Sequence, residues 1–244
     1  MEKKNITQVI DKYHLNGLVE SVTWNSTEDD GMSVKFITPT KDCAGLVSTT
    51  KDLGLGKNDI SIYSTSQFNK LLTIMDIAMV NIEVITGNQG IPYQLKVNDN
   101  DFDLDFYLSS EDLIPSVPNI NEPEEYDVEF SIDEDFTKNF TKAHSALDKP
   151  GRFEIGCKKI DDIKHVELTV GDSATFANKI KMVQPCEYTI GIEPMAFSAN
   201  IVKEILAVNK SANGKAKINE EGLLKLEFTE DDITSTYFVV KLAE

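Results

Sequence analysis

The sequence predicts an α+β protein built from two similar halves. Three observations carry that expectation. Four short stretches repeat apolar residues at helical spacing. Alternating, strand-like runs fill the intervals between them. The order helix, four strands, helix, three strands then occurs twice along 244 residues, with little residue identity between the copies.

In the first half, Ile6, Val9, Ile10 and Tyr13 fall at i, i+3, i+4 and i+7, which marks a helix. The runs LVESVTWN, MSVKFIT, AGLVST and DISIYS read as strands. Ser66 is the expected N-cap of a second helix, whose stripe is Phe68, Leu71, Leu72 and Met75. VNIEVIT, YQLKVND and DFDLDFYLS close the half. The second half opens with a helix near Asp133, carrying Phe136, Phe140, Ala143 and Leu147 on one face. FEIGCKKI, HVELTVGD, TFANKIKM and EYTIGI follow as strands. A further helix has Phe197, Ile201, Ile205 and Val208 as its stripe, and AKINEEG, LLKLEFTED and TSTYFVVKLA end the chain. Between the halves, SSEDLIPSVPNINEPEEY holds three of the eight prolines. Proline removes an amide donor and biases its neighbour toward extended geometry, so an extended connection is expected there. The expected domains are 1–113 and 127–244, joined by a loop at 114–126.

A hydrophobic content of 41% and a charged content of 27% suit a globular protein with a real core. The longest apolar run, Leu71 to Val80, is broken by Thr73 and Asp76 and is too short to cross a membrane. The N-terminus has no signal-like apolar run, so a cytoplasmic protein is expected, in a host cytoplasm if viral. Cys43, Cys157 and Cys186 are far apart and form no CxxC pair, which suits three reduced thiols.

Signatures of catalysis are missing from the sequence. His14, His144 and His165 stand in no HExxH, and GLGK at Gly54 lacks the spacing of a phosphate loop. DNDFDLDFYL places Asp at every second position from 99 to 105. A calcium loop would need Gly and Glu where Leu104 and Ser110 stand. Alternation with Phe102, Leu104 and Phe106 instead reads as a strand with one acidic face. No enzyme activity, metal or cofactor is expected.

The charge is unevenly distributed. Of a net −17, residues 97–137 contribute fourteen acids and no Lys or Arg, which leaves −3 for the rest. Against that background LAVNKSANGKAKI, Leu206 to Ile218, carries Lys210, Lys215 and Lys217 and no acid. The helix sides opposite the apolar stripes carry Lys4 and Lys12, then Lys70, then Lys138 and Lys142, then Lys203, with Asp11 and Glu204 among them. A second pattern pairs strands of opposite charge. Asp103 and Asp105 alternate with Phe106 in one half, and Lys179 and Lys181 alternate with Phe176 in the other. Either these are two unrelated solvated faces or they meet head to tail between chains, a contact that can close a ring.

The stretch IEPMAFSANIVKEILAVNK, from Ile192 to Lys210, with LLKLEF and STYFVVKLAE after it, resembles the last helix and final strands of DNA sliding clamps of the proliferating-cell-nuclear-antigen type. EEYDVEF, from Glu124 to Phe130, resembles the return from the interdomain loop of such clamps, and the length looks most like those of tailed phages. The resemblance implies two clamp domains per chain, each with two helices on antiparallel sheets. Three chains would form a closed homotrimeric ring. It implies a processivity factor that encircles duplex DNA without reading sequence, tethers a replicative DNA polymerase and is placed by a clamp-loader ATPase. Lys4, Lys12, Lys70, Lys138, Lys142, Lys203, Lys210, Lys215 and Lys217 would face the DNA. Ile114, Val117, Ile120, Tyr126 and Leu242 would hold a partner peptide. Asp103, Asp105, Phe106, Phe176, Lys179 and Lys181 would lie at the subunit junction. The competing reading is a non-enzymatic structural or scaffold protein, such as one from a virion, that never binds DNA.

Overall fold

A computed structural model describes every residue except 1, 28–30, 76–77, 173–176, 189–190 and 244. The chain divides into two compact units. One comprises residues 1–39, 45–118 and 231–235, the other 40–44, 119–230 and 236–244.

The first unit contains α1 (Lys3–His14), β1 (Val22–Ser26), β2 (Met32–Ile37), most of β3 (Cys43–Thr49), β4 (Asn58–Ile62), α2 (Thr65–Thr73), β5 (Asn81–Thr86), β6 (Pro92–Asn98) and β7 (Asp103–Tyr107). Its strands lie in the orders β3-β2-β1-β4 and β5-β6-β7. Helix α1 buries the expected stripe, with Ile6, Val9, Ile10 and Tyr13 all at 0% exposure. It stops at Leu15 and Asn16, both left-handed, and then at Gly17, whose φ of 100° suits a residue without Cβ. Trp24 on β1 packs edge-on against Phe68 of α2 at 5.6 Å, and Phe68 meets Phe106 of β7 at 4.8 Å. The residues 231–235 that belong to this unit lie along β3: Thr50 N–H donates to the Asp232 carbonyl at 3.1 Å, and the hydroxyls of Ser48 and Thr234 are 2.8 Å apart.

The second unit contains β8 (Val128–Ile132), α3 (Glu134–Ser145), β9 (Arg152–Ile160), β10 (Ile163–Val170), β11 (Ile180–Pro185), β12 (Glu187–Tyr188), β13 (Met195–Ser198), α4 (Ala199–Val208), β14 (Asn213–Ile218), β15 (Leu223–Glu230) and most of β16 (Ile233–Val240). Its strands lie in the orders β11-β10-β9-β13 and β12-β8-β14-β15-β16. An aromatic ladder forms its core, running Phe130, Phe136, Phe140, Phe153, Phe197 with successive centroids 5.7, 6.4, 5.2 and 6.3 Å apart. Asp133 caps α3 by accepting from Phe136 N–H at 2.7 Å, and Ser198 caps α4 by accepting from Ile201 N–H at 3.4 Å.

The element order of the first half stands as the sequence predicts, whereas the second half has two more strands than expected. Strand β8 precedes α3 and pairs with β14 after α4. The first unit keeps a trace of the same pairing, a single antiparallel bridge between Glu2 and Met79 on either side of its helix pair. Strand β13 is too short, at four residues, to show an alternating pattern. TFANKIKM is a strand only from Ile180, and its Thr175 and Phe176 lie outside the described residues.

Ser66 does not cap α2. Ser64 holds the N-cap position, and Ser66 sits in the first turn. The cap comes from a distance: Glu20 Oε2 accepts from Ser66 N–H at 2.9 Å, its backbone carbonyl accepts from Thr65 N–H at 2.9 Å, and Oε1 accepts from the Ser66 hydroxyl. Burial acts to raise the Glu20 carboxyl, but the Ser66 hydrogen bonds and His14 outweigh it and hold the group below its ordinary range. The stabilisation from Glu20 is therefore present above the ordinary glutamate range and lost as pH falls through the depressed folded value. Glu20→Gln should cost about 1 kcal/mol, the usual cost of a lost cap. In urea melts it should also flatten the acid limb of the stability profile between pH 3 and 5, on the order of the ordinary carboxylate range.

Candidate nucleic-acid interface

Each unit pairs its helices: α1 packs with α2, and α3 with α4. In the second unit α3 also rests on β10, and α4 on β9 and β13. Burying Phe136, Phe140 and Ala143 turns the opposite side of α3 outward, where Lys138 and Lys142 lie exposed one helical turn apart. The turn after α4 brings Lys210 to the same place. Lys138, Lys142 and Lys210 line one hollow of about 740 Å³, together with Thr137, Thr141, Ser211 and Asn213. Glu134 at the start of α3 is the acid on its rim. Among the described residues none of the three lysines forms an ion pair. Flexible ammonium groups beside hydroxyls and amides suit phosphate oxygens, which are bound through charge and without fixed geometry.

The other lysines separate into distinct environments. Lys4 and Lys70 are exposed on the first unit's helices, as expected. Lys12 is not on an exposed face: it is 2% exposed, because α1 is enclosed on more than its apolar stripe. Lys203 is half-buried, and its ammonium is held 2.6 Å from Glu204. Lys215 and Lys217 depart most from expectation. Both are part of β14, which starts at Asn213, ahead of the expected strand AKINEEG, and Ala216 and Ile218 take its buried face. Period-two alternation turns both lysines to the opposite side, away from the packed face. There Lys215 meets Glu129 at 2.7 Å and Lys217 meets Glu227 at 2.7 Å. The basic stretch of the sequence is thus divided: Lys210 joins the helix lysines, and the other two are neutralised on the sheet.

The strands of opposite charge are both sheet edges. β7 ends the order β5-β6-β7, and β11 ends the order β11-β10-β9-β13. Asp103 and Asp105 are exposed on β7, and Gln94 donates to Asp105 at 2.5 Å. Phe106 points the other way, 7% exposed against Phe68, so its side chain belongs to the core. Lys181 is exposed on β11, 2.6 Å from Glu167, and Lys179 is exposed just ahead of the strand. Hydrogen bonds from Lys158 and Lys181 hold the Glu167 carboxyl below its ordinary range. Phe176 lies outside the described residues.

Of the apolar residues expected to receive a peptide, Ile114 and Val117 are half-buried in the first unit, and Ile120, Tyr126 and Leu242 are half-buried in the second. Leu242 is fixed by its N–H, which donates to the Ala196 carbonyl at 2.8 Å. Burial pushes the Tyr126 phenol up to about 12. Among the described residues no group of three or more His, Cys, Asp or Glu side chains is arranged to hold a metal. Sequence reasoning missed Thr137, Thr141, Ser211 and Asn213. Thr137 and Thr141 could have been found, since they stand one residue before Lys138 and Lys142 and repeat their i, i+4 spacing.

Comparison with known proteins locates this fold. No family model matches the sequence, and no curated protein matches it. Solved structures do. The chain is similar to the Proliferating Cellular Nuclear Antigen of Entamoeba histolytica, with a TM-score of 0.73 and 15% identity, covering 100% of this chain and 97% of that one. It is similar to the PCNA of A. fulgidus in a structure with the C-terminal region of FEN-1 bound, with a TM-score of 0.76, 15% identity and coverage of 100% and 97%. The PCNA2–PCNA3 complex of Sulfolobus tokodaii gives a TM-score of 0.70, 13% identity and coverage of 100% and 98%. Along its whole length, this chain has the α+β fold of the PCNA-type sliding clamps.

Proposed function

We propose that this protein is a DNA sliding clamp: a non-enzymatic ring that encloses duplex DNA and tethers a replicative polymerase. The observation that carries the reading is the sorting of lysines in the second unit. Lys138 and Lys142 on α3 and Lys210 in the turn after α4 converge without an ion pair among the described residues, while Lys215 and Lys217 on the sheet are each matched by an acid. A ring lined by helices would then present its free cations to the duplex and a neutralised surface to the outside. Contacts to phosphate are sequence-independent, so the ring can move along the helix axis.

Closure of the ring rests on the two bare edges. In the first unit residues 231–235 lie along β3. In the second unit β11 occupies the corresponding place, third in the strand series that follows the unit's first helix, and ends its sheet uncovered. The acidic edge β7 of one copy against the basic end of β11 in the next gives a head-to-tail contact, and three copies make six similar domains. A clamp-loader ATPase would open this junction, and the polymerase would reach the ring through the segments around Tyr126 and Leu242.

The test combines mass and topology. Light scattering should give three times 27.2 kDa. Protein placed on nicked circular duplex should stay through a high-salt wash and be released when the circle is linearised. Equal retention on circular and linear DNA would overturn the clamp reading, as would a stable dimer.

A further inference from the structure

Residues 119–126 belong to the second unit and are tied to its sheet at two places. Asp127 ends the segment: its N–H donates to the Ile218 carbonyl at 2.9 Å, and its Oδ2 accepts from Glu220 N–H at 2.7 Å. The other tie is ionic. Lys225 on β15 is 9% exposed, yet its Nζ stands 2.7 Å from Glu122 Oε2 and 2.9 Å from Glu227 Oε1. Its ammonium also lies 5.6 Å from the centre of the Phe238 ring on β16. Glu227 is shared with Lys217 at 2.7 Å, so the row Lys217, Glu227, Lys225, Glu122 alternates in sign and sums to zero. Between the two ties the Tyr126 hydroxyl is buried.

A buried ammonium is stable only while its carboxylates stay with it. Of the two, Glu227 is anchored on the same strand as Lys225, two residues away. Glu122 is not in any strand or helix, and its side chain is 43% exposed. The pair therefore has one fixed member and one that can leave. We propose that Lys225 is the latch of a strap: its ammonium holds residues 119–126 down on the β15–β16 surface, and release of Glu122 lets that segment lift while the sheet beneath stays folded. The Asp127 tie is the hinge end, because it is made partly by backbone and continues directly into β8.

Hydroxyl-radical footprinting on the full chain, read by mass spectrometry, tests this without DNA or a partner, so its failure is distinct from failure of the clamp reading. Lys225→Met removes the charge and keeps an apolar stem against Phe238. Tyr126, whose hydroxyl is buried, should be oxidised severalfold faster, with the core residue Tyr237 unchanged. Glu122→Gln should do the same, and Glu227→Gln, which leaves the Glu122–Lys225 pair, should not. Unchanged oxidation of Tyr126 in Lys225→Met overturns the latch. If that variant loosens the whole unit, Glu122→Gln decides: acceleration confined to Tyr126 supports the strap, and none overturns it.

Discussion

Replacing Lys138, Lys142 and Lys210 together by Gln should flatten the salt dependence of binding to a short duplex. The slope of log affinity against log salt should fall by about 2.7 for each protomer that touches the DNA, about 0.9 per lysine. At low salt the loss of affinity should be on the order of a hundredfold, and it should be the same for every duplex sequence, because contacts to phosphate carry no base information. Fluorescence anisotropy of a labelled duplex over a salt series measures both. The paired variant Lys215→Gln and Lys217→Gln is the control. Both residues already spend their charge on Glu129 and Glu227, so the slope should stay as in the wild type. A triple variant with an unaltered slope would place the DNA elsewhere, and a double variant with a reduced slope would place it on the sheet.

The largest stability effect belongs to Trp24. It is fully buried, its indole N–H donates to the Tyr13 hydroxyl at 3.1 Å, and that hydroxyl lies 3.3 Å from Thr65 Oγ1, which in turn donates to the Glu20 carbonyl at 2.8 Å. One side chain thus joins β1, α1 and the start of α2. Trp24→Ala should cost about 3–5 kcal/mol, the range for deleting a large core ring. Trp24→Phe keeps most of the volume and loses the donor, which should cost about 1–2 kcal/mol. Urea melts followed by circular dichroism measure the difference, and equal losses in the two variants would show that packing contributes nothing there. Trp24 is the chain's single tryptophan and lies in the first unit, so its emission in the wild type reports that unit alone. The neighbouring Tyr13 hydroxyl is pushed well above its ordinary value by burial. An unfolded tyrosine ionises from about pH 10 while this one does not, so the unit loses stability as pH rises beyond that point.

What the sequence made legible follows from how each element is stabilised. α1, α2, α3 and α4 each bury an apolar stripe, and a 3.6-residue period survives in it, even though α1 is enclosed on more than that stripe. Of the alternating acids of residues 99–105, Asp103 and Asp105 stand in a strand, with Phe106 on its inner face, whereas Asp99 and Asp101 lie in the turn before it, where Asp99 Oδ1 accepts from the N–H groups of Asp101 and Phe102. A short strand with no room for a period, such as β13, left no such mark. The candidate site was half legible. Charge on a helix could be placed by spacing, which located Lys138 and Lys142. Charge around the turn after α4 could not: AKINEEG reads as a strand only from Ala216, and nothing in LAVNKSANGKAKI says that β14 begins at Asn213 and sends Lys215 and Lys217 to the far side together. The burial of Lys12 depends on neighbours distant in sequence, and the remote cap from Glu20 depends on a chain separation of 46 residues.

The composition of the first unit has a consequence for synthesis. Its residues 231–235 leave the ribosome long after α1 and β1–β7 have been made. Until they arrive, the edge of β3 is open, and open edges recruit other strands. The second unit in turn needs residues 40–44, made early. Neither repeat can be finished, inherited or transplanted as a separate module. Although the architecture is twofold, a genetic piece that folds to completion must carry both halves.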